Sequence, residues 1–326
     1  MSRISVFGAG AWGSTLAQVL CDAGNEVLLW GRNAETIGEI NSSHTNQRYL
    51  AGQVLPTTLR ATTDLDEAFA FSQTYVLAIP STQLRTTLNE WKPRFSSDCT
   101  IVSTLKGIEV STMLRMTEII EEILGKHKIA LLTGPNLADE LILRQPAGAV
   151  AASTSQEVAE HVRELFRTPY YRVYTSVDLL GCELAGAIKN VIALAVGISI
   201  GMGYGENTQA MLITRLCAAH GSDPLSAAGL AGMGDLVATC GSPLSRNRTF
   251  GELLGKTGSM EMAIAQGAKT VEGVASSGAI VEIAHRVGVE VPVIEAVADI
   301  VNGSLSPEQA LARLMEITTQ AENFIR

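Results

Sequence analysis

Apolar residues follow two rhythms along this chain, and the change between them falls near residue 180. In the first half, short runs of strand length stand at Ile4–Phe7, Glu26–Trp30, Tyr75–Ile79, Thr100–Ser103 and Ile129–Leu132. Between them apolar positions recur every three or four residues, as in Leu16, Val19 and Leu20 and across Thr112–Leu124. Near-continuous apolar strands alternating with amphipathic helices are what a sheet buried on both faces requires, so this half predicts a parallel, doubly wound sheet. Two further β-rich pieces, Ala149–Ala152 and Tyr171–Thr175, extend it. From about Asp178 helical spacing dominates to the end. Pro292 suits the first turn of one helix, Asn302-Gly303 its end, and Ser306-Pro307 the start of the next. The two rhythms predict an α/β domain over 1–180 and an all-helical domain over 181–326, with the boundary near 176–182. No internal repeat interrupts either part.

Composition narrows what such a chain does. Its 326 residues suit two domains, and with 46% hydrophobic and 17% charged residues it can bury a core in each. Disorder of the whole chain is excluded at that composition. The net charge is −9 and no long basic run appears, which argues against nucleic acid as a partner. Any anion must therefore be held by a local cluster of donors against the field of the whole protein. The five cysteines, Cys21, Cys99, Cys182, Cys217 and Cys240, are odd in number, scattered and without a CxxC pair. They argue against a disulfide framework or a zinc site and fit a reducing, cytoplasmic location. The histidines show no ligand spacing, so no metal is expected.

Two apolar stretches need a specific reading. Arg3 and the residues after it would suit a secretion signal, but Gly8, Gly10 and Gly13 break the stretch and favour strand–turn–helix. The longest uncharged run, Asn190 to Gly205, contains four glycines and falls short of the roughly 20 apolar residues a span needs. It reads as a buried helix and its exit, not a membrane span.

Gly8-Ala9-Gly10-Ala11-Trp12-Gly13 matches GxGxxG. Alone the pattern is weak; here it follows a strand and opens a helix, which is the context a dinucleotide site needs. Gly8 permits the tight turn, Gly10 lets a pyrophosphate approach the backbone, and Gly13 allows close packing of helix on strand. The helix N-terminus then offers unpaired N–H groups to phosphate. The second strand ends at Trp30-Gly31-Arg32, without the acidic residue that holds the ribose hydroxyls of NAD. Arg32 suits the 2′-phosphate of NADP, or is a solvated surface arginine. NADP(H) is the cofactor this predicts, with NAD(H) also accepted.

Three segments close strands where ligands of open α/β sheets bind: Ala78–Ser81, Ser103–Gly107 and Thr133–Asn136. Lys106 supplies charge there or is a surface lysine. Asn136 caps the helix that Leu137 to Glu140 begins, and that helix start also suits an anion. In the second half, Gly186-Ala187-Ile188-Lys189-Asn190 sets a lysine in an apolar helix. Its stem either snorkels to water or holds a partly desolvated amine, whose lowered pKa suits proton transfer. Asp235, in Gly232-Met233-Gly234-Asp235-Leu236, is a turn residue or the partner of that lysine. Ser245-Arg246-Asn247-Arg248 precedes a helix with donors suited to phosphate, or is an ordinary charged helix start.

Taken together and in order, GAGAWG from Gly8, LKGIE from Leu105, TGPN from Thr133, GAIKN from Gly186, MGYGENTQA from Met202, GMGDL from Gly232, SRNR from Ser245 and VEGV from Val271 resemble the bacterial-type NAD(P)-dependent glycerol-3-phosphate dehydrogenases over nearly the whole chain. The resemblance implies a Rossmann domain followed by a helical domain like that of 6-phosphogluconate dehydrogenase. It implies reversible reduction of dihydroxyacetone phosphate to sn-glycerol 3-phosphate, a product that feeds phospholipid synthesis. By the same resemblance Lys189 is the general acid and base, supported by Asn190 and Asp235. Lys106, Gly134, Asn136, Lys189, Asp235, Ser245, Arg246 and Asn247 line the substrate site. Gly8, Gly10, Ala11, Trp12, Gly13, Arg32, Asn33, Tyr49, Lys106, Ala138, Arg246 and Glu272 contact the cofactor. Asn136 stands where the family carries Ser or Thr, Asn33 where it often has a second basic or polar residue, and the segment before Gly232 is a few residues short. The expected site places the Lys189 amine in the crevice between the two halves.

A dehydrogenase of the same plan acting on a hydroxy acid, a non-catalytic dinucleotide sensor and a methyltransferase are the rival readings. The SRNR segment favours a phosphorylated substrate, and the buried lysine favours catalysis. A homodimer is compatible with the apolar helical half.

Overall fold

A computed structural model describes residues 1–214, 224–266 and 271–316. Cys217 lies outside the described residues. The chain forms two compact units: Met1–Leu105 with Met116–Leu179, and Lys106–Arg115 with Leu180 onward.

The first unit is an eight-stranded sheet of order β3-β2-β1-β4-β5-β6-β7-β8. Its strands are β1 (Arg3–Phe7), β2 (Glu26–Trp30), β3 (Arg60–Thr62), β4 (Thr74–Leu77), β5 (Thr100–Ser103), β6 (Lys128–Thr133), β7 (Ala147–Ala152) and β8 (Tyr171–Ser176). The helices between them are α1 (Ala11–Asp22), α2 (Ala34–Ser43), α3 (Leu65–Phe71), α4 (Leu84–Trp91), α5 (Met116–Leu124), α6 (Ala138–Leu141) and α7 (Gln156–Phe166). Pairing is parallel from β3 through β6; β7 turns antiparallel to β6, and β8 pairs parallel with β7. The period of two along a strand decides what each face buries. Ile4 and Val6 join the aliphatic cluster with Leu16 and Leu20 of α1. Phe7 points the other way, its ring centroid 4.7 Å from Phe69 and 5.1 Å from Trp91. Because β1 lies between β2 and β4, the strand order reverses beside it, the place where such sheets bind ligands at their carboxyl ends.

The second unit is helical among the described residues of its long segment: α8 (Leu179–Gly201), α9 (Glu206–Ile213), α10 (Pro224–Ala228), α11 (Asp235–Gly241), α12 (Arg246–Thr257), α13 (Met260–Ala265), α14 (Glu272–Arg286), α15 (Pro292–Val301) and α16 (Pro307–Glu316). α8 is long and apolar enough to cross a membrane, yet 89% of its most apolar window is buried inside the protein. It is the core helix of this unit. Val191, Ile192, Leu194 and Val196 are fully buried, and each such side chain contributes about 1.5–3 kcal/mol. α12 lies against α8 through paired glycines: a Cβ on Gly197 would collide with the Arg248 carbonyl, and one on Gly251 with that of Leu194. Pro292 opens α15, Asn302 follows its end with Gly303 at φ +78°, and Pro307 opens α16, as the punctuation predicts.

Two expectations change. The helix read over Thr112–Leu124 starts only at Met116. Ahead of it the chain makes a closed turn, with Met113 at φ +61°, the Thr112 hydroxyl donating to Glu109, and Ile108 bridged to Arg115. That turn also departs from a division at 180, since Lys106–Arg115 belongs to the helical unit. The reason is burial: Ile108 packs into the apolar cluster built around α8.

Candidate active site

The glycine turn of the first unit is made by backbone. Gly8 sits at φ +122°, and a Cβ there would strike the Ala78 carbonyl. A Cβ on Gly13 would strike the Gly8 carbonyl, so helix and strand touch at that point. Gly10 differs: apart from its own chain neighbours, no described residue lies within 4 Å of where its Cβ would be. It is the N-cap of α1, in extended conformation and with no side chain capping the helix. The first N–H groups of α1 thus border open space, which fits the pyrophosphate of a dinucleotide. Ala11 and Trp12, the next two residues, are half-buried there. Asn46, from the loop after α2, braces the turn. Its Nδ2 donates to the Ala9 carbonyl at 3.1 Å and to the Ser14 hydroxyl at 2.9 Å. A single asparagine in a polar loop carries no signal of that role.

Around the turn, Arg32 is exposed just past β2. Asn33 is the N-cap of α2, its Oδ1 accepting from the Thr36 N–H at 2.8 Å. Tyr49 is exposed, with the Arg48 guanidinium 5.5 Å over its ring. Gly134 holds φ +145° after β6, with Gly148 and Ala149 of β7 close to where its Cβ would sit. Asn136 does not cap α6. The N-cap is Leu137, no side chain caps there, and α6 has only four residues, too short for a developed dipole. Both polar atoms of the Asn136 amide are instead buried without a hydrogen-bond partner among the described residues. A ligand's polar atoms would satisfy them. Ala138 is the first residue of α6 and half-buried.

The second unit holds a charged cluster made by side chains. Lys189, on α8, is 7% exposed. Its Nζ donates to Asp235 Oδ1 at 2.6 Å and to the Thr239 hydroxyl at 2.8 Å. Lys106 Nζ donates to the other oxygen, Asp235 Oδ2, at 2.5 Å. Asp235 is 1% exposed and is no surface turn residue: it opens α11, directly after a π-helical turn over Leu230–Gly234. Such turns recur at functional sites, and a helix start favours a carboxylate. Gly232 lets that turn close, because a Cβ would strike the Ala227 carbonyl. Thr239 was not singled out in the sequence; its place one turn beyond Asp235 was the available signal.

One carboxylate thus faces two ammonium groups. Burial pulls the Lys189 amine down to about 8, the Lys106 charge adds to that, and Asp235 opposes it. An ammonium has three hydrogens. Two are used, and the third has no partner among the described residues.

A second chain of bonds joins α8, α12 and α14. Asn190 donates to Glu272 at 3.1 Å and accepts from Asn247 at 3.0 Å, and Asn247 accepts from the Gly273 N–H at 2.9 Å. Ser245 is buried as the N-cap of α12, accepting from the Arg248 N–H. The Arg246 side chain is 77% exposed, 3.8 Å from Glu272. The helical unit therefore brings together Lys106, Lys189, Asn190, Asp235, Arg246, Asn247 and Glu272 in two connected networks.

The family described as NAD-dependent glycerol-3-phosphate dehydrogenase matches with its N-terminus over residues 3–159 and its C-terminus over residues 178–312. The glycerol-3-phosphate dehydrogenase [NAD(P)+] of Thermobifida fusca is 48% identical, with 99% of each chain covered, and that of Streptomyces coelicolor 47%, with 98% of each. The crystal structure of glycerol-3-phosphate dehydrogenase from Coxiella burnetii is 32% identical, has a TM-score of 0.88, and is matched over 97% of this chain and 99% of that one. The chain belongs to the NAD-dependent glycerol-3-phosphate dehydrogenase family.

Proposed function

We propose that this protein reversibly reduces dihydroxyacetone phosphate to sn-glycerol 3-phosphate with NADPH or NADH, and that Lys189 exchanges the proton. When bound, the nicotinamide cofactor supplies the hydride. Reduction leaves negative charge on the substrate oxygen, and an ammonium near it both stabilises that charge and delivers a proton. The observation that carries this reading is the spare N–H of a buried amine pulled down to about 8. Asp235 and Thr239 hold the amine by its other two hydrogens, so its direction is set before substrate arrives.

The remaining roles follow from donor chemistry. Lys106 and Arg246 offer positive charge, and Ser245, Asn247, Gly134 and Asn136 offer polar contacts, to the phosphate and hydroxyl groups of the substrate. Gly8, Gly10, Ala11, Trp12 and Gly13 cradle the pyrophosphate. Arg32, with Asn33 and Tyr49, meets the adenosine side, where a guanidinium suits the 2′-phosphate of NADP. Ala138 and Glu272 complete the cofactor contacts, together with Lys106 and Arg246. The free thiols of Cys21, Cys99, Cys182 and Cys240 accord with work in the cytosol. The product supplies phospholipid synthesis in this reading, and the assembly is a homodimer, which sedimentation at micromolar concentration tests.

The direct test is NADPH oxidation followed by absorbance with dihydroxyacetone phosphate. Turnover with this substrate, and none with hydroxy-acid precursors such as 2-oxo acids, is the expected result. Binding of NADPH without turnover would make the protein a sensor and overturn the reading.

A further inference from the structure

Lys106 does not reach Asp235 from a free loop. The segment that carries it is closed on itself and anchored to α8. Ile108 is bridged to Arg115, the Glu109 N–H donates to the Leu114 carbonyl at 2.9 Å, and the Met113 N–H to the Glu109 carbonyl at 2.8 Å. At the foot of this turn the Arg115 guanidinium donates to Glu183 Oε2 at 2.7 Å. The Glu183 side chain is 1% exposed and that of Arg115 17%, so the pair is nearly dry. Glu183 stands on α8 six residues before Lys189, about 9 Å along the helix axis.

The contacts close a ring. From α8 it runs through Glu183 to Arg115, across the bridge to Ile108, back to Lys106, on to Asp235, and through Lys189 to α8 again. Both ends of the turn are thereby measured against one helix. A loop lysine has many rotamers to lose, and exposed ion pairs hold such side chains weakly. A largely buried arginine–carboxylate contact is directional and resists rearrangement.

We propose that Arg115 and Glu183 form a positioning pair that sets the Lys106 ammonium against Asp235 and so fixes both the substrate grip of Lys106 and the electrostatic setting of Lys189. The proposal rests on the reading of Lys106 and Lys189 given above. It assigns the pair no contact with substrate or cofactor. Its consequence for the site is electrostatic. The charged and titratable groups that face Lys189 are Lys106, Asp235 and Cys240, and burial pushes the Cys240 thiol up to about 12, so it stays neutral. If Lys106 drifts from its place, the like-charge repulsion on Lys189 weakens and its amine keeps its proton to higher pH.

The test is a double-mutant cycle. Arg115→Met with Glu183→Met replaces the ion pair by apolar groups of similar volume, a change that cores tolerate. The expected result is a melting temperature near that of the unaltered protein, a KM for dihydroxyacetone phosphate raised about tenfold, and a pH limb of turnover displaced to higher pH. In a Lys106→Met background the same double substitution should change neither KM nor the pH limb further, because its effect passes through Lys106. Equal effects in both backgrounds would overturn the proposal and leave the pair a stabilising contact only, as would an unchanged KM and pH limb in the double variant. Should that variant fail to fold, Arg115→Lys keeps the charge but not the fork, and is read by the same two measures in both backgrounds. Lys189→Ala separates the two levels of argument: full turnover there would sink the reading of the site itself, whereas additivity sinks only the positioning role.

Discussion

The two candidate sites are built on opposite principles. The glycine turn of the first unit holds no charged side chain; its donors are the N–H groups at the start of α1, and its shape comes from missing Cβ atoms. The lysine cluster of the second unit is all side chain, with Lys106, Lys189, Asp235 and Thr239 supplied by three separate segments. Backbone donors cost nothing to hold in place once helix and strand form. A largely buried cluster of two ammonium groups and one carboxylate is stable only while every partner stays, since a buried charge that loses its partner costs about 3–5 kcal/mol. The first site should therefore be sensitive to volume and indifferent to pH, and the second the reverse.

The largest effect should come from the second site. Lys189→Ala should lower turnover by about 100- to 10,000-fold while NADPH affinity, read by fluorescence titration, stays nearly intact. Comparable loss of both would erase the division of labour between the units. Within the glycine turn the comparison sharpens further. Gly13→Ala drives a methyl into the Gly8 carbonyl and should destabilise the fold by about 1–3 kcal/mol in thermal melts. Gly10→Ala meets no described residue beyond its own chain neighbours, so stability should hold within about 0.5 kcal/mol while NADPH binding weakens about tenfold. A Gly10→Ala protein with normal NADPH affinity would show that the cradle is not where the cofactor lies.

Smaller effects follow at the edges. Arg32→Asp should weaken NADPH binding about tenfold more than NADH binding, by isothermal titration, because only the former carries the 2′-phosphate. Equal losses would make Arg32 a solvated surface residue. The last expectation concerns pH. In the proposed mechanism Lys189 donates its proton during reduction, which makes the ammonium the active form, so reductive turnover should fall as pH rises past about 8. Oxidation of glycerol 3-phosphate needs the neutral amine and should rise across the same interval. A flat profile in both directions would detach proton transfer from this residue.

What was legible beforehand follows the same contrast. The turn at Gly8–Gly13 is local, so six consecutive residues, a preceding strand and a following helix suffice to read it. Lys189 and Asp235 were visible as polar residues out of place in apolar or glycine-rich surroundings. Their contact was one of two alternatives until the fold brought them together from 46 residues apart. Asn136 reads as a helix cap from its place before Leu137–Glu140, and the chain instead caps from Leu137. Local spacing cannot tell a cap from a side chain held beside one. Nothing near Asn46, Arg115 or Glu183 in the chain marks them, and Thr239 is marked only by its place one turn beyond Asp235.

Periodicity and glycine placement were enough for seven of the eight strands, the apolar core helix and the glycine turn, because each depends on residues a few positions apart; the three-residue β3 carries too short a pattern to read. Tertiary packing alone assigned Lys106–Arg115 to the helical unit, since that depends on Ile108 finding an apolar cluster distant in the chain. Packing alone also gave Asp235 two ammonium partners, one of them 129 residues away. Coulomb interactions and burial act through space, and the order of residues does not state those distances.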